Sequence, residues 1–216
     1  MSNKDNPASQ WTRLSPPQAE GLYNPSHEHD ACGVGLVVDV EGRKSNRIVR
    51  NGIQVLENLA HRGACGCEEN TGDGAGILLQ IPDAFLRNVT TSLGIALPPP
   101  EDYGVGMVFL PQEEPDVTLC TELFEQAVTL LGQSVLGWRD VPVNPTGLGK
   151  SAIASRPLIR QVFVARAAGV ADTAAFERKL CLIRRAAEKM VRASDIPGRD
   201  DFYVVSLSAR TERLTT

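Results

Sequence analysis

The chain has no apolar run near the roughly 20 residues that cross a bilayer, no excess of basic residues and no internal repeat. The first absence excludes a transmembrane helix. With 22 Lys and Arg against 26 Asp and Glu, the net charge is −4. That balance leaves no electrostatic footprint for nucleic acid or an anionic membrane, and neither is expected as a partner. The first 31 residues hold no apolar signal core, and their several acidic residues argue against an organelle transit peptide. A disulfide framework is missing too. The five cysteines are odd in number and irregularly spaced, which fits a reducing cytosol, so a cytoplasmic location is expected. What remains is ordinary globular composition, 42% hydrophobic and 22% charged, over 216 residues, enough for one domain with a substantial core.

Residues 1–31 are polar and carry Pro7, Pro16, Pro17 and Pro25. They read as a flexible leader, and the folded domain is expected over residues 32–216. Gly33–Val40 alternates as a buried strand would, with Glu41-Gly42 as its turn. Ser45 can cap a helix to about Ala60, its apolar face formed by Ile48, Val49, Ile53, Leu56 and Leu59, and Gly63 ends it. A glycine-rich loop runs from Gly63 to Gly76. Strands are expected at Ile77–Ile81, Tyr103–Leu110, Ser134–Arg139, Leu158–Ala165 and Phe202–Ser208, the last being the final one. Helices are expected from Pro115 and Asp116 to Leu131 and from Asp172 to Arg192. So many strands with so few helices between them do not make the β-α-β rhythm of a parallel sheet. Antiparallel sheets covered by helices, an α+β fold, fit better.

Cys32 heads the segment Ala31-Cys32-Gly33-Val34-Gly35, where the polar leader gives way to the apolar alternation. A lone cysteine before a glycine-rich strand is ordinarily a small buried hydrophobe. Cleavage of the Ala31–Cys32 bond, however, would give one residue both a thiol and a free α-amine. Thiol attack on an amide needs a thiolate and a base within hydrogen-bond reach. An α-amine, with a pKa of about 7.7–8.0, is partly neutral near neutral pH and can serve as that base. A peptide nitrogen cannot, because its lone pair is delocalised into the carbonyl. Glycines at 33 and 35 keep the backbone bare where a substrate must come close.

The company of Cys32 is specific. Cys32-Gly33-Val34-Gly35, Leu59-Ala60-His61-Arg62-Gly63 and Asn70-Thr71-Gly72-Asp73-Gly74-Ala75-Gly76-Ile77 together resemble the class II, N-terminal-nucleophile glutamine amidotransferases. The fuller strings are narrower. Glu28-His29-Asp30-Ala31-Cys32, Ala60-His61-Arg62-Gly63-Ala64-Cys65-Gly66-Cys67, Gly137-Trp138-Arg139-Asp140-Val141-Pro142 and Phe202-Tyr203-Val204-Val205-Ser206-Leu207-Ser208 resemble the glutamate synthase large-subunit family. The likeness spans about Glu28 to Arg210.

The resemblance implies a four-layer αββα sandwich of the N-terminal nucleophile (Ntn) hydrolase type. It implies glutaminase chemistry: L-glutamine cleaved to glutamate and ammonia through a γ-glutamyl thioester on Cys32, with Arg62 and Gly63 supporting the active site. In the full-length family the ammonia meets 2-oxoglutarate in further domains of the large subunit. FMN and an iron–sulfur cluster belong there, not in this segment; the electron donor stays open between a reduced pyridine nucleotide, oxidised by a small subunit, and ferredoxin, with the wording of the motifs leaning towards the nucleotide type. The family's oxyanion-hole Asn-Gly pair and its clamp for the glutamine α-groups have no match before residue 216. A truncated domain of weak activity is therefore expected, since one lost oxyanion donor typically costs about 10²–10³ in rate. Two other readings stay open: a class II amidotransferase serving another acceptor, and a non-catalytic regulatory or assembly domain of the same fold.

Other motifs read as structural. Cys65-Gly66-Cys67 is spaced too tightly for a zinc pair and suits a tight turn. Cys120 and Cys181 fall on apolar helix faces. His27-Glu28-His29-Asp30 reads as solvated linker. Gly149-Lys150-Ser151 lacks the glycine a phosphate loop needs at position 144, where Asn144 stands. Gly72, Gly74 and Gly76 precede a strand, not a helix. Arg178, Lys179, Arg184, Arg185 and Lys189 lie largely off the apolar face of their helix and read as a solvated basic stripe.

Overall fold

The computed structural model describes residue 21, residues 33–59 and residues 74–215. Helix α1 (Asn46–Asn58) starts where Ser45 predicts: the Ser45 hydroxyl accepts from Ile48 N–H at 3.4 Å. Strand β1 (Gly76–Gln80) follows, then α2 (Asp83–Thr91), β2 (Tyr103–Leu110), α3 (Glu114–Leu130), β3 (Ser134–Asp140), the short α4 (Lys150–Ser155), β4 (Leu158–Ala165), α5 (Thr173–Arg192), β5 (Tyr203–Ser208) and β6 (Thr211–Thr215). Pro115 sits in the first turn of α3, where its missing N–H costs nothing. The Asp172 carboxylate accepts from Ala175 N–H at 2.7 Å to cap α5, and Lys189 and Arg192 sit in its last turn against the dipole's negative end.

Four strands form one sheet in the order β3-β4-β2-β5, every neighbour antiparallel. β1 and β6 form a separate antiparallel pair. The expected mix of helices and antiparallel sheets is what the chain builds. On one face of the larger sheet α3 and α5 bury Phe124, Val128, Phe176, Leu180 and Ile183 against Val108, Val162, Val164 and Val204. The Trp138 ring meets Phe124 edge-on at 5.3 Å, and its indole N–H donates to Glu125 at 2.8 Å. A second apolar cluster of Ile81, Leu86, Tyr103, Val105 and Phe163 joins α2 to the other side. Gly137 adopts φ +157° where the β3–β4 register shifts, and a Cβ there would come within 2.7 Å of Ile95.

Four expectations need correction. Residues 33–39 form no strand and pair with no other strand among the described residues, and Val34, Leu36, Val38 and Val40 are 94, 86, 65 and 99% exposed. A strand is completed by a neighbour's hydrogen bonds, and here the alternation lacks one. Phe202–Ser208 is not the last strand: β6 follows it and returns to pair with β1. The turn into β6 is fixed by Glu177, whose carboxylate accepts from Ser208 Oγ (3.0 Å) and Ala209 N–H (2.6 Å). Cys181 is exposed, whereas Cys120 is buried as expected. α2 and α4 were not anticipated. α2 follows Pro82 directly and is held by Asp83, which accepts from Arg87 (2.9 Å) and from Tyr103 O–H (2.8 Å), while Arg87 also donates to the Leu97 carbonyl at 2.7 Å.

β6 brings an acid into the interior. Glu212 is 1% exposed; Gln161 Nε2 donates to its carboxylate, and Arg139 Nη1 donates to Gln161 Oε1 at 2.5 Å. Burial pushes the Glu212 carboxyl above its ordinary 4.5, against the pull of Gln161 and Arg139. The native state therefore binds this proton more tightly than the unfolded chain. Its contribution to stability is fullest below about 4.5 and is lost as pH rises through the native pKa. Glu212→Gln keeps an acceptor for Gln161 and removes the buried charge. The variant should be more stable than the parent at neutral pH by on the order of 1 kcal/mol. Denaturant titrations from about pH 5 to about pH 9 should show a flatter stability profile than the parent's.

Candidate active site

The described chain on either side of the candidate residues converges on one face of α1. Gly52, Val55 and Leu59 stand at i, i+3 and i+7 and so share that face. A Cβ built on Gly33 would come within 3.0 Å of Leu59 Cδ2, and one on Gly35 would overlap Val55 Cγ1. On the same face, a Cβ on Gly52 would lie 2.9 Å from Ile77 Cδ1 of β1. Glycine is needed at 33 and 35 for close backbone approach to the helix rather than for an unusual φ. The residues directly after Cys32 therefore touch the end of the helix that leads into Arg62 and Gly63. Past Val40 the segment turns on Asp39, whose carboxylate accepts from Glu41 N–H at 2.9 Å and from Arg43 Nε at 3.1 Å. The Arg43 hydrogen bond holds the Asp39 carboxyl below its ordinary 3.8.

Cys32, Arg62 and Gly63 themselves lie outside the described residues, as do His27–Asp30, Cys65–Cys67 and Gly72. Gly74 is described, and Gly76 opens β1, so a strand and not a helix follows the glycines. A short helix does follow Gly149, but the preceding residues 141–145 form no strand. The two described cysteines make poor alternatives as nucleophile. Cys120 is fully buried and its thiol is pushed up to about 11, chiefly by desolvation, which leaves little thiolate at neutral pH. Cys181 lies alone on the outer face of α5. Among the described residues no three His, Cys, Asp or Glu side chains gather as a metal site, and no helix is long and apolar enough to cross a membrane.

A profile of the glutamine amidotransferases class-II family matches residues 32–213. The chain belongs to the class II glutamine amidotransferases. The glutamate synthase [NADPH] large chain of Bacillus subtilis is 44% identical over 195 residues, covering 90% of this chain and 12% of that protein. The corresponding large chain of Azospirillum brasilense is 40% identical over 190 residues, covering 88% of this chain and 12% of its own length. The ferredoxin-dependent glutamate synthase 2 of Synechocystis is 36% identical over 184 residues, covering 85% and 11%. The chain thus spans about an eighth of the length of these relatives or less.

Sequence reasoning about this amidotransferase domain missed Arg139, Gln161 and Glu212 as a unit. Arg139 and Gln161 lie opposite each other on β3 and β4, and only the strand register shows it. The glycine–helix contact yields a test. Gly35→Ala puts a methyl group into Val55, and the segment after Cys32 must lift from α1 or α1 must shift. Overpacking of this kind costs about 1–3 kcal/mol. Chemical denaturation should register that loss, while Gly169→Ala, where φ is not positive and no atom lies within 4 Å of the added Cβ, should cost less.

Proposed function

We propose that this domain is the glutaminase part of a glutamate synthase, with Cys32 as its nucleophile once residues 1–31 are removed. The observation that carries the reading is the position of the family match, whose first residue is Cys32. The packing of Gly33 on Leu59 supports it, because the chain next to Cys32 and the chain next to Arg62 are held together.

The chemistry balances on one residue. The free α-amine of Cys32 takes the thiol proton, and the thiolate attacks the γ-carboxamide carbon of L-glutamine. The tetrahedral adduct collapses as the ammonium group returns the proton to the leaving nitrogen, and ammonia departs. A water molecule, deprotonated by the same amine, then cleaves the γ-glutamyl thioester to release glutamate and restore the thiol. Arg62 supports the bound substrate and Gly63 lets the backbone turn beside it. We assign the domain the four-layer αββα Ntn arrangement. In support, α3 and α5 cover the larger sheet, β6 contacts that sheet through Glu212 and Gln161, and α1 packs on β1.

In the whole enzyme, the ammonia combines with 2-oxoglutarate in domains beyond this one, in the cytoplasm, with electrons from a small subunit that oxidises a reduced pyridine nucleotide. FMN and an iron–sulfur cluster belong to those domains.

The test is chemical. A chain beginning at Cys32 is treated with a diazoketone analogue of glutamine, and the adduct is mapped by mass spectrometry. Labelling at Cys32, with at least a hundredfold slower labelling when residues 1–31 remain attached, is expected from the loss of the base. Equal labelling of both forms, or turnover of glutamine by Cys32→Ala, would falsify the assignment.

A further inference from the structure

α3 and α5 lie side by side over the sheet yet carry opposite charge. α3 contains Glu114, Asp116, Glu122 and Glu125 and no Lys or Arg. Asp116 is buried and accepts from Gly198 N–H at 2.8 Å, and Glu125 holds Trp138. Glu114 and Glu122 are exposed, with Glu113 exposed just ahead of the helix. On α5 the exposed stripe is Arg178, Arg185, Lys189 and Arg192. Its two acids are turned to internal work: Glu177 holds the β5–β6 turn, and Glu188 pairs with Arg184 and Arg185 inside the same helix. No salt bridge among the described residues joins α3 to α5. The opposite charges therefore point outward and leave each other uncompensated across the layer. Leu119, Leu130 and Leu182 stand among them at 45, 76 and 53% exposure. A groove of about 490 Å³ runs beside Glu122, Gln126 and Leu130.

We propose that this face is self-complementary and pairs two copies of the domain, α3 of one copy lying on α5 of the other. β2 and β4 are antiparallel and lead into α3 and α5 respectively, and Asp116 at the start of α3 meets Gly198, six residues past the end of α5, so the two helices run antiparallel. A two-fold axis parallel to the helices and midway between them then superposes α3 on the partner copy's α5 at matching height. Glu122, on the order of 9 Å along α3 from Asp116, falls at the level of the C-terminal half of α5, where Arg185 and Lys189 project. Leu130 falls towards the level of Leu182. Both contacts occur twice, as an isologous interface requires. α5 is about 30 Å long, and two helices about 8–10 Å apart present a face about 20 Å wide. The pair would bury on the order of 1,200 Å², at the lower end for specific association. The complex is accordingly a modest, salt-sensitive one.

Sedimentation velocity of the whole 216-residue chain tests this. At about 100 µM protein a micromolar dimer is largely formed, and it should dissociate as salt rises from about 0.05 M to about 0.5 M. Glu122→Lys and Arg185→Glu each place like charges together at both symmetry-related contacts and should weaken pairing at least about a hundredfold. An equimolar mixture of the two variants restores opposite charge at both contacts and should form a heterodimer. Both positions are exposed, and circular dichroism checks that each variant is folded. A parent that stays monomeric at low salt overturns the proposal. So does a dimer indifferent to either reversal, or a mixture that stays monomeric.

Discussion

β2 is the strand on which the rest of the described domain depends. It pairs on both edges, with β4 and β5, and is buried on both faces along nearly its whole length. A strand in that position cannot alternate apolar with polar side chains, and Tyr-Gly-Val-Gly-Met-Val-Phe-Leu does not. Each face needs its own cover. Gly104 lowers the surface on one side so that Leu180 of α5 can settle on the backbone, Gly106 leaves room for Val162 and Leu207 of the neighbouring strands, and Tyr103 and Val105 face the α2 side. Tyr103 carries a hydroxyl into that side, and Asp83 accepts it. Burial and the neighbouring carboxylate push the phenol well above its ordinary value, so it stays a neutral donor throughout the physiological range.

The candidate site rests on a different kind of contact, one made by absence of side chain. Gly33 and Gly35 press backbone against α1, and the opposite side of the same segment shows Val34, Leu36, Val38 and Val40 to solvent. Among the described residues the backbone here is held from one side only. A flush glycine seat is a compact way to fix the chain without filling the space on its other side.

Legibility followed burial. β2 and α5 were readable because their apolar positions match a single period over many residues: Phe176, Leu180, Ile183, Ala187 and Val191 of α5 are all buried. Ser45 and Asp172 announced their helices through cap chemistry that operates within four residues. What failed was non-local. α2 is short, rich in Thr and Asn, and depends on Tyr103 and on the carbonyls near Leu97, none of them near in sequence. β6 carries Thr, Glu and Arg and becomes a strand only because β1 is there to pair with it. The alternation at residues 33–40 has the period of a strand but no strand partner among the described residues, so periodicity alone overstated it. The motifs around Cys32 and Arg62 pointed to the family that the match over residues 32–213 shows, whereas the glycine fit between Gly35 and Val55 could be foreseen only as a need for close approach.

The bridge from Arg139 through Gln161 to Glu212 shows how a polar contact can set an arrangement at some cost to stability. β1–β6 shares no backbone ladder with the larger sheet, so hydrophobic burial alone would let one slide on the other. Side chains alternate along β6, and a slip by one residue would turn Glu212 outward and bring Arg213 in. Arg213 could only donate, and the Gln161 N–H that now meets Glu212 would lose its acceptor. The Arg139 guanidinium, lying 5.8 Å from the Phe85 ring centroid and bonded to Gln161, cannot follow such a slip without giving up that contact. An apolar residue at 212 would bury more favourably but would pair equally well in either register. The acid therefore selects one register while burial opposes its charge, and both effects come from the same closed environment.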